Sequence, residues 1–301
     1  MKTLKLNASS DGLELAVAVF EPAEAPKGIF QIVHGMAEHK ERYYGFMEFL
    51  SSNGYVAVIH DQRGHGESLK LPSDLGYMYD GGWLAMVEDI KVVQDWARGE
   101  YPDLPVYLFG HSMGSMEVRS FTKRYDSTIK RLIVCGCPSD NPAKGAGRAL
   151  TRIIAFFRGW RYRPNLINQM SFGAYNKPFE QEGPCAWLSK NPDNVKTYLK
   201  DPLCGYCFTA NGFYGLLGVM KDCYNPKGWA MKNPALKILF ISGAEDPCRV
   251  DDKAFGKAVE FMRTRGYSSV ESKLYPTLRH EILLEKEAQQ VYEDVLSFVE
   301  G

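Results

Sequence analysis

Apolar positions along the chain follow two rhythms that take turns. Short, nearly continuous apolar runs occupy residues 13–20 (LELAVAVF), Gly28–Gly35 (GIFQIVHG), Tyr55–His60, Val106–Gly110, Ile129–Gly136, Leu236–Ser242 and Val270–Pro276. Each has the length and β-branched content of a strand. Between them lie segments with apolar residues at helical spacing: Arg42–Asn53, where Phe46, Phe49 and Leu50 share a face, then Asp80–Arg98, Ser112–Tyr125, Asp251–Arg265 and Glu285–Val299. Unbroken apolar strands alternating with helices predict an α/β fold, a mostly parallel sheet covered by helices on both faces.

The rhythm stops after Pro138. Residues 138–230 mix Pro, Gly, Asn and aromatics with no strand–helix alternation, and the alternation resumes at Leu236. The simplest organisation is a core built from 1–137 and 231–301, with 138–230 inserted as a lid. Open α/β sheets hold their ligands at the carboxyl ends of the strands, and that is where such an insertion would lie.

Composition narrows the function classes. Across 301 residues, 36 Lys and Arg balance 36 Asp and Glu, so no basic excess points to nucleic acid. The N-terminal MKTLKLNASSDGLELAVAVF alternates apolar with polar residues and is broken at Asp11 and Gly12, unlike a signal-peptide core. No apolar stretch of about 18 residues is present to span a membrane. Seven cysteines, an odd number, form no disulfide or metal framework; Cys204 and Cys207 make one C-x-x-C with no second pair at ligand spacing, and read as packing residues. These features predict a reduced, cytoplasmic setting with no cofactor and no metal. The oligomeric state is not legible.

The chemistry is concentrated in Gly110–Gly114, G-H-S-M-G, flanked by strand VYLFG and helix MGSMEVRSF. A strand turning sharply into a helix strains its apex and crowds the neighbours, so small residues are needed two before and two after. That turn would hold the Ser112 hydroxyl at the mouth of a site. A serine needs a base, and the base an orienter. Five histidines precede or adjoin the serine; His280, in TLRHEILLE, follows the last strand and is the candidate base. Asp246, in FISGAEDPCR just after Leu236–Ser242, is the candidate orienting acid, whereas Glu245, Asp251 and Asp252 read as turn or helix-start residues. Two backbone N–H groups would receive an oxyanion: Met113, after the nucleophile, and Met36, in the HGMAEH loop after the second strand. Asp61, Arg63 and His65 read as loop scaffolding.

Together, HGMAEHKERY, HDQRGHGES, GHSMGS, GAEDP and RHEILLE resemble the α/β-hydrolase family, and within it the monoacylglycerol lipase and lysophospholipase group. The resemblance spans about Ile32 to Glu285. It implies the same trio of Ser112, Asp246 and His280, an acyl-enzyme reaction on carboxylic esters, and a lid over 138–230 gating an acyl pocket. In that family the Glu and Arg matching Glu38 and Arg42 lie near the polar end of the site; a structural i,i+4 ion pair at a helix start is the other reading of these two. Some glycerol-ester hydrolases carry a second histidine three places after the catalytic one, where this chain has Leu283.

The lid carries twelve Lys or Arg against six Asp or Glu. In RALTRIIAFFRGWRYR, apolar Leu150, Ile153, Phe156, Phe157 and Trp160 share one helical side, with Arg148 and Arg152 opposite. Such a helix either closes over a pocket or touches an anionic lipid surface transiently. The run Leu203–Met220 suits an acyl channel wall or ordinary lid core. Two other functions remain open: a serine aminopeptidase, whose substrate ammonium would need lid carboxylates such as Glu180 and Glu182, and a non-enzymatic hydrolase-like binding protein.

Overall fold

The computed structural model describes residues 1–301. Eight strands form one sheet: β1 (Lys2–Asn7), β2 (Glu14–Phe20), β3 (Gly28–Val33), β4 (Tyr55–His60), β5 (Val106–His111), β6 (Arg131–Cys135), β7 (Lys237–Gly243) and β8 (Ser269–Tyr275), in the spatial order β1-β2-β4-β3-β5-β6-β7-β8. From β4 to β8 every neighbouring pair is parallel, while β2 runs antiparallel to both β1 and β4. The apolar run at residues 13–20 is therefore a buried antiparallel strand. Leu15, Val17 and Val19 enter one core and Ala18 and Phe20 the other, so the run is apolar because both faces are covered, whatever its direction.

The period-two alternation of strand side chains divides the interior into two cores. On one face Ile29, Val58, Leu108, Val134 and Phe240 pack with α2 (Gly82–Glu100), α3 (Met113–Tyr125) and α8 (Asp252–Arg265). On the other, Phe30, Ile59, Phe109, Ile133 and Ile241 pack with α1 (Tyr44–Ser52) and α9 (Ala288–Glu300), through Phe46, Met47, Leu50, Val291, Val295 and Val299.

The segment 138–230 holds four helices: α4 (Lys144–Arg158), α5 (Asn165–Phe172), α6 (Pro192–Lys200) and α7 (Ala210–Cys223). Of these α7 is the most deeply placed. It packs against α2, α3 and α4 and sends Phe213, Leu216, Val219 and Cys223 into the larger core. On α4, Thr151 and Ala155 are buried, whereas Phe156 is 83% and Phe157 75% exposed. The apolar side read from the sequence thus splits: Leu150 and Ile154 pack inward, and Ile153, Phe156 and Phe157 face solvent together with Leu166 and Met170 of α5.

Candidate active site

Four loops leave the carboxyl ends of parallel strands and converge. They follow β3 (Met36), β5 (Ser112), β7 (Asp246) and β8 (His280). The turn at Ser112 has φ 54° and ψ −116°, left-handed geometry that a non-glycine residue adopts at a cost of about 1–3 kcal/mol. Its flanks explain the glycines. A Cβ on Gly110 would stand 2.4 Å from the Gly114 carbonyl oxygen, and one on Gly114 would stand 2.3 Å from that of Val33. Strand and helix can meet this closely only without side chains there. The Ser112 N–H donates to the Cys135 carbonyl at 2.9 Å, fixing the apex against β6.

The serine is half-buried, and its Oγ lies 2.9 Å from His280 Nε2. On the other side of the ring, His280 Nδ1 lies 2.9 Å from Asp246 Oδ2. Asp246 also accepts from the Cys248 N–H at 2.8 Å and the Ser242 hydroxyl at 3.1 Å. Burial would push the Asp246 carboxyl up; the His280 charge and these hydrogen bonds outweigh it and hold the group below its ordinary value. For His280 burial pulls the imidazole down, and the charge of Asp246 with its hydrogen bond more than reverses this, leaving it above about 6.5. The carboxylate therefore sets the tautomer: Nδ1 carries hydrogen and Nε2 offers its lone pair to the serine.

Neither the Met36 nor the Met113 backbone N–H donates to another protein group. Met113 opens α3, where the first amide groups have no intrahelical acceptor. Ala37, next to Met36, takes φ 52°. The loop is held by Glu38, whose Oε1 accepts the Gly35 N–H at 2.5 Å and the Tyr43 hydroxyl at 2.9 Å.

Glu38 and Arg42 form the i,i+4 pair at 3.0 Å, with both side chains almost fully enclosed. Arg42 also binds Glu281 through two nitrogens, at 2.6 and 2.7 Å, and Asn194 of α6 at 3.1 Å. Asp61 accepts from the Lys40 N–H and ammonium, Arg63 pairs with Asp89, and buried His65 is held neutral with its pKa depressed to about 3 by burial. All three lie in the loop packing behind the site. Glu182 is paired with Arg279 at 2.6 Å, and Glu180 is exposed.

Two contributors lie outside the sequence reading. His111 Nε2 is 3.1 Å from the His280 carbonyl and its ring lies 4.7 Å from the His280 ring. From the inserted segment, Trp187 lays its indole 5.0 Å from the same imidazole. The first sits in the GHSMG motif and could have been noticed beside Ser112. The second had no signal, because nothing in 138–230 indicates which aromatic reaches His280. A small cavity lined by Glu38, Tyr43, His111, Glu281, Leu283 and Leu284 adjoins this group.

The sheet order and a serine on a strained strand–helix turn, facing a histidine and an aspartate from later loops, define an α/β-hydrolase. More narrowly, residues 24–287 match the family described as serine aminopeptidase, S33, and the chain belongs to that family. It is 26% identical to the monoacylglycerol lipase of Mycolicibacterium smegmatis over 97% of this chain and 95% of that one. It is 31% identical to mouse monoglyceride lipase over 65% of this chain and 58% of the mouse enzyme. A thermostable carboxyl esterase from Bacillus coagulans, solved with glycerol, superposes with a TM-score of 0.90 at 25% identity, covering 100% of this chain and 98% of that one.

Proposed function

We propose that the protein is a serine hydrolase of carboxylic esters, with monoacylglycerols or lysophospholipids as the substrate class. Ser112 attacks the ester carbonyl as His280 takes its proton. Asp246 keeps the imidazole oriented and stabilises its cation, and the Met36 and Met113 N–H groups receive the oxyanion. The imidazolium then protonates the leaving alcohol, and water, activated by the same histidine, releases the acid from the acyl-enzyme. The observation that carries this reading is the continuous Ser112–His280–Asp246 hydrogen-bond chain, 2.9 Å at each link. The lipase and esterase relatives support the ester as substrate. A panel of monoacylglycerols, lysophospholipids, short nitrophenyl esters and a prolyl arylamide tests it. Turnover of the acyl esters, its loss in Ser112→Ala and labelling of Ser112 by a fluorophosphonate are the expected results. Cleavage of the arylamide alone would transfer the assignment to an aminopeptidase. Of the two lid carboxylates named for an ammonium, Glu182 is committed to Arg279.

Residues 138–230 act in this proposal as the lid, and its α4–α5 surface meets the lipid. Exposed Phe156 and Phe157, flanked by Arg152 and Arg158, have the composition of an interfacial helix. Phe156→Ser with Phe157→Ser should weaken sedimentation with anionic phospholipid vesicles at least about tenfold while leaving hydrolysis of a water-soluble ester unchanged. Vesicle binding equal to wild type would remove the role.

A further inference from the structure

Where the oxyanion loop meets the inserted segment, three different metal-ligating side chains converge. His39 follows β3, and Asp201 and Cys204 follow α6. Their ligating atoms all lie within 4.8 Å of one another, with His39 and Cys204 buried and Asp201 half-buried. His39 Nε2 and Asp201 Oδ2 are 2.8 Å apart. Each position is fixed by the backbone. Asp201 Oδ1 accepts the Leu203 N–H at 2.8 Å, leaving Oδ2 directed at His39. The Cys204 N–H donates to the Asp201 carbonyl at 3.0 Å, and the Gly205 N–H to the Ala37 carbonyl at 3.0 Å, closing the turn onto the loop.

We infer that His39, Asp201 and Cys204 form a Zn2+ site that fastens the inserted segment to the oxyanion loop. An imidazole, a thiolate and a carboxylate match zinc's preference for mixed N, S and O donors in tetrahedral geometry. Outer support is already in place: Glu41 Oε2 sits 2.5 Å from His39 Nδ1, the arrangement in which a carboxylate accepts the free N–H of a ligating histidine and orients its ring. Glu41 is itself paired with Lys40 at 2.6 Å. The charge then balances, since one carboxylate and one thiolate offset the dication. Arg42 is engaged by Glu38 and Glu281. Seating an ion about 2.1 Å from both His39 and Asp201 requires the two side chains to part by roughly half an ångström. The half-exposed Asp201 side opens the fourth position to water. On binding, the Cys204 thiol and the His39 imidazolium each release a proton to solvent, and no electron is transferred.

Linear spacing hides this site because His39 and Asp201 are 162 residues apart. A second group, Asp246, Cys248 and His280, shares the donor types but belongs to the proposed reaction centre, where His280 Nε2 already faces Ser112. The test must separate the two. The full-length chain is titrated with Zn2+ against a chromophoric chelator and with Co2+ as the spectroscopic probe. Expected are one tightly bound equivalent, a thiolate-to-cobalt charge-transfer band and a raised unfolding temperature with Zn2+. All three should be lost in Cys204→Ser and Asp201→Asn and retained in Cys248→Ser, with Glu41→Gln weakening affinity about 10–100-fold. A wild-type chain that retains no stoichiometric metal overturns the site. So does a cobalt band that survives Cys204→Ser and disappears in Cys248→Ser. Metal-free unfolding of each variant verifies that it folds, and the wild-type titration decides even where one variant does not.

Discussion

Around Ser112 the local chemistry turns on what Asp246 does to His280. Burial works against a charged imidazole, and the neighbouring carboxylate overcomes that penalty. A base is useful only when neutral, so kcat/KM should climb as pH rises through the elevated His280 pKa and fall below it. In Asp246→Asn the burial remains and the compensating charge is gone, so that inflection should move to lower pH while kcat drops about ten-thousandfold. Activity against pH, with circular dichroism to verify folding, checks both; an unmoved inflection at near-normal turnover would rule out Asp246 as the orienting acid.

At the scale of elements, the glycines of the strand–helix turn show packing overruling propensity. Replacing a helical glycine by alanine ordinarily gains about 1 kcal/mol. At Gly114 the added methyl would press on the Val33 and His34 carbonyl oxygens, at 2.3 and 2.5 Å. Overpacking of this kind costs about 1–3 kcal/mol, so Gly114→Ala should lower stability, and the urea midpoint reads the sign. The central strands and their helices were legible because continuous apolar runs persist wherever a strand is covered on both faces. Strand β1 was not: KTLKLN is short, charged and at the sheet edge, with only Leu4 and Leu6 against the core. Helix α9 begins at Ala288 because Glu285 is drawn away, accepting N–H groups from Arg279, Lys190 and Asn191 and the Ser189 hydroxyl. The order of serine, acid and histidine along the chain singles out three side chains that the fold brings within 2.9 Å of one another at each link. By contrast, the contacts of Arg42 with Glu281 and Asn194 join residues 239 and 152 positions apart, beyond the reach of local pattern.

Across the whole molecule, residues 138–230 and the sheet core are tied at several points around His280. Asn194 joins the Arg42–Glu281 pair, and Glu285 gathers residues 189–191 onto the loop that carries His280. These fastenings hold Trp187 beside the imidazole. An indole in van der Waals range of a titrating ring is an optical gauge, since an imidazolium withdraws excited-state electron density and dims emission more than the neutral ring does. Among the five tryptophans of the chain, Trp187 should therefore darken as acid charges His280, and Trp187→Phe should abolish that portion of the pH response. Identical curves for the two proteins would mean that the indole does not sense His280. If the dimming is seen, the protonation state of His280 can be followed by light alone, before any substrate is added.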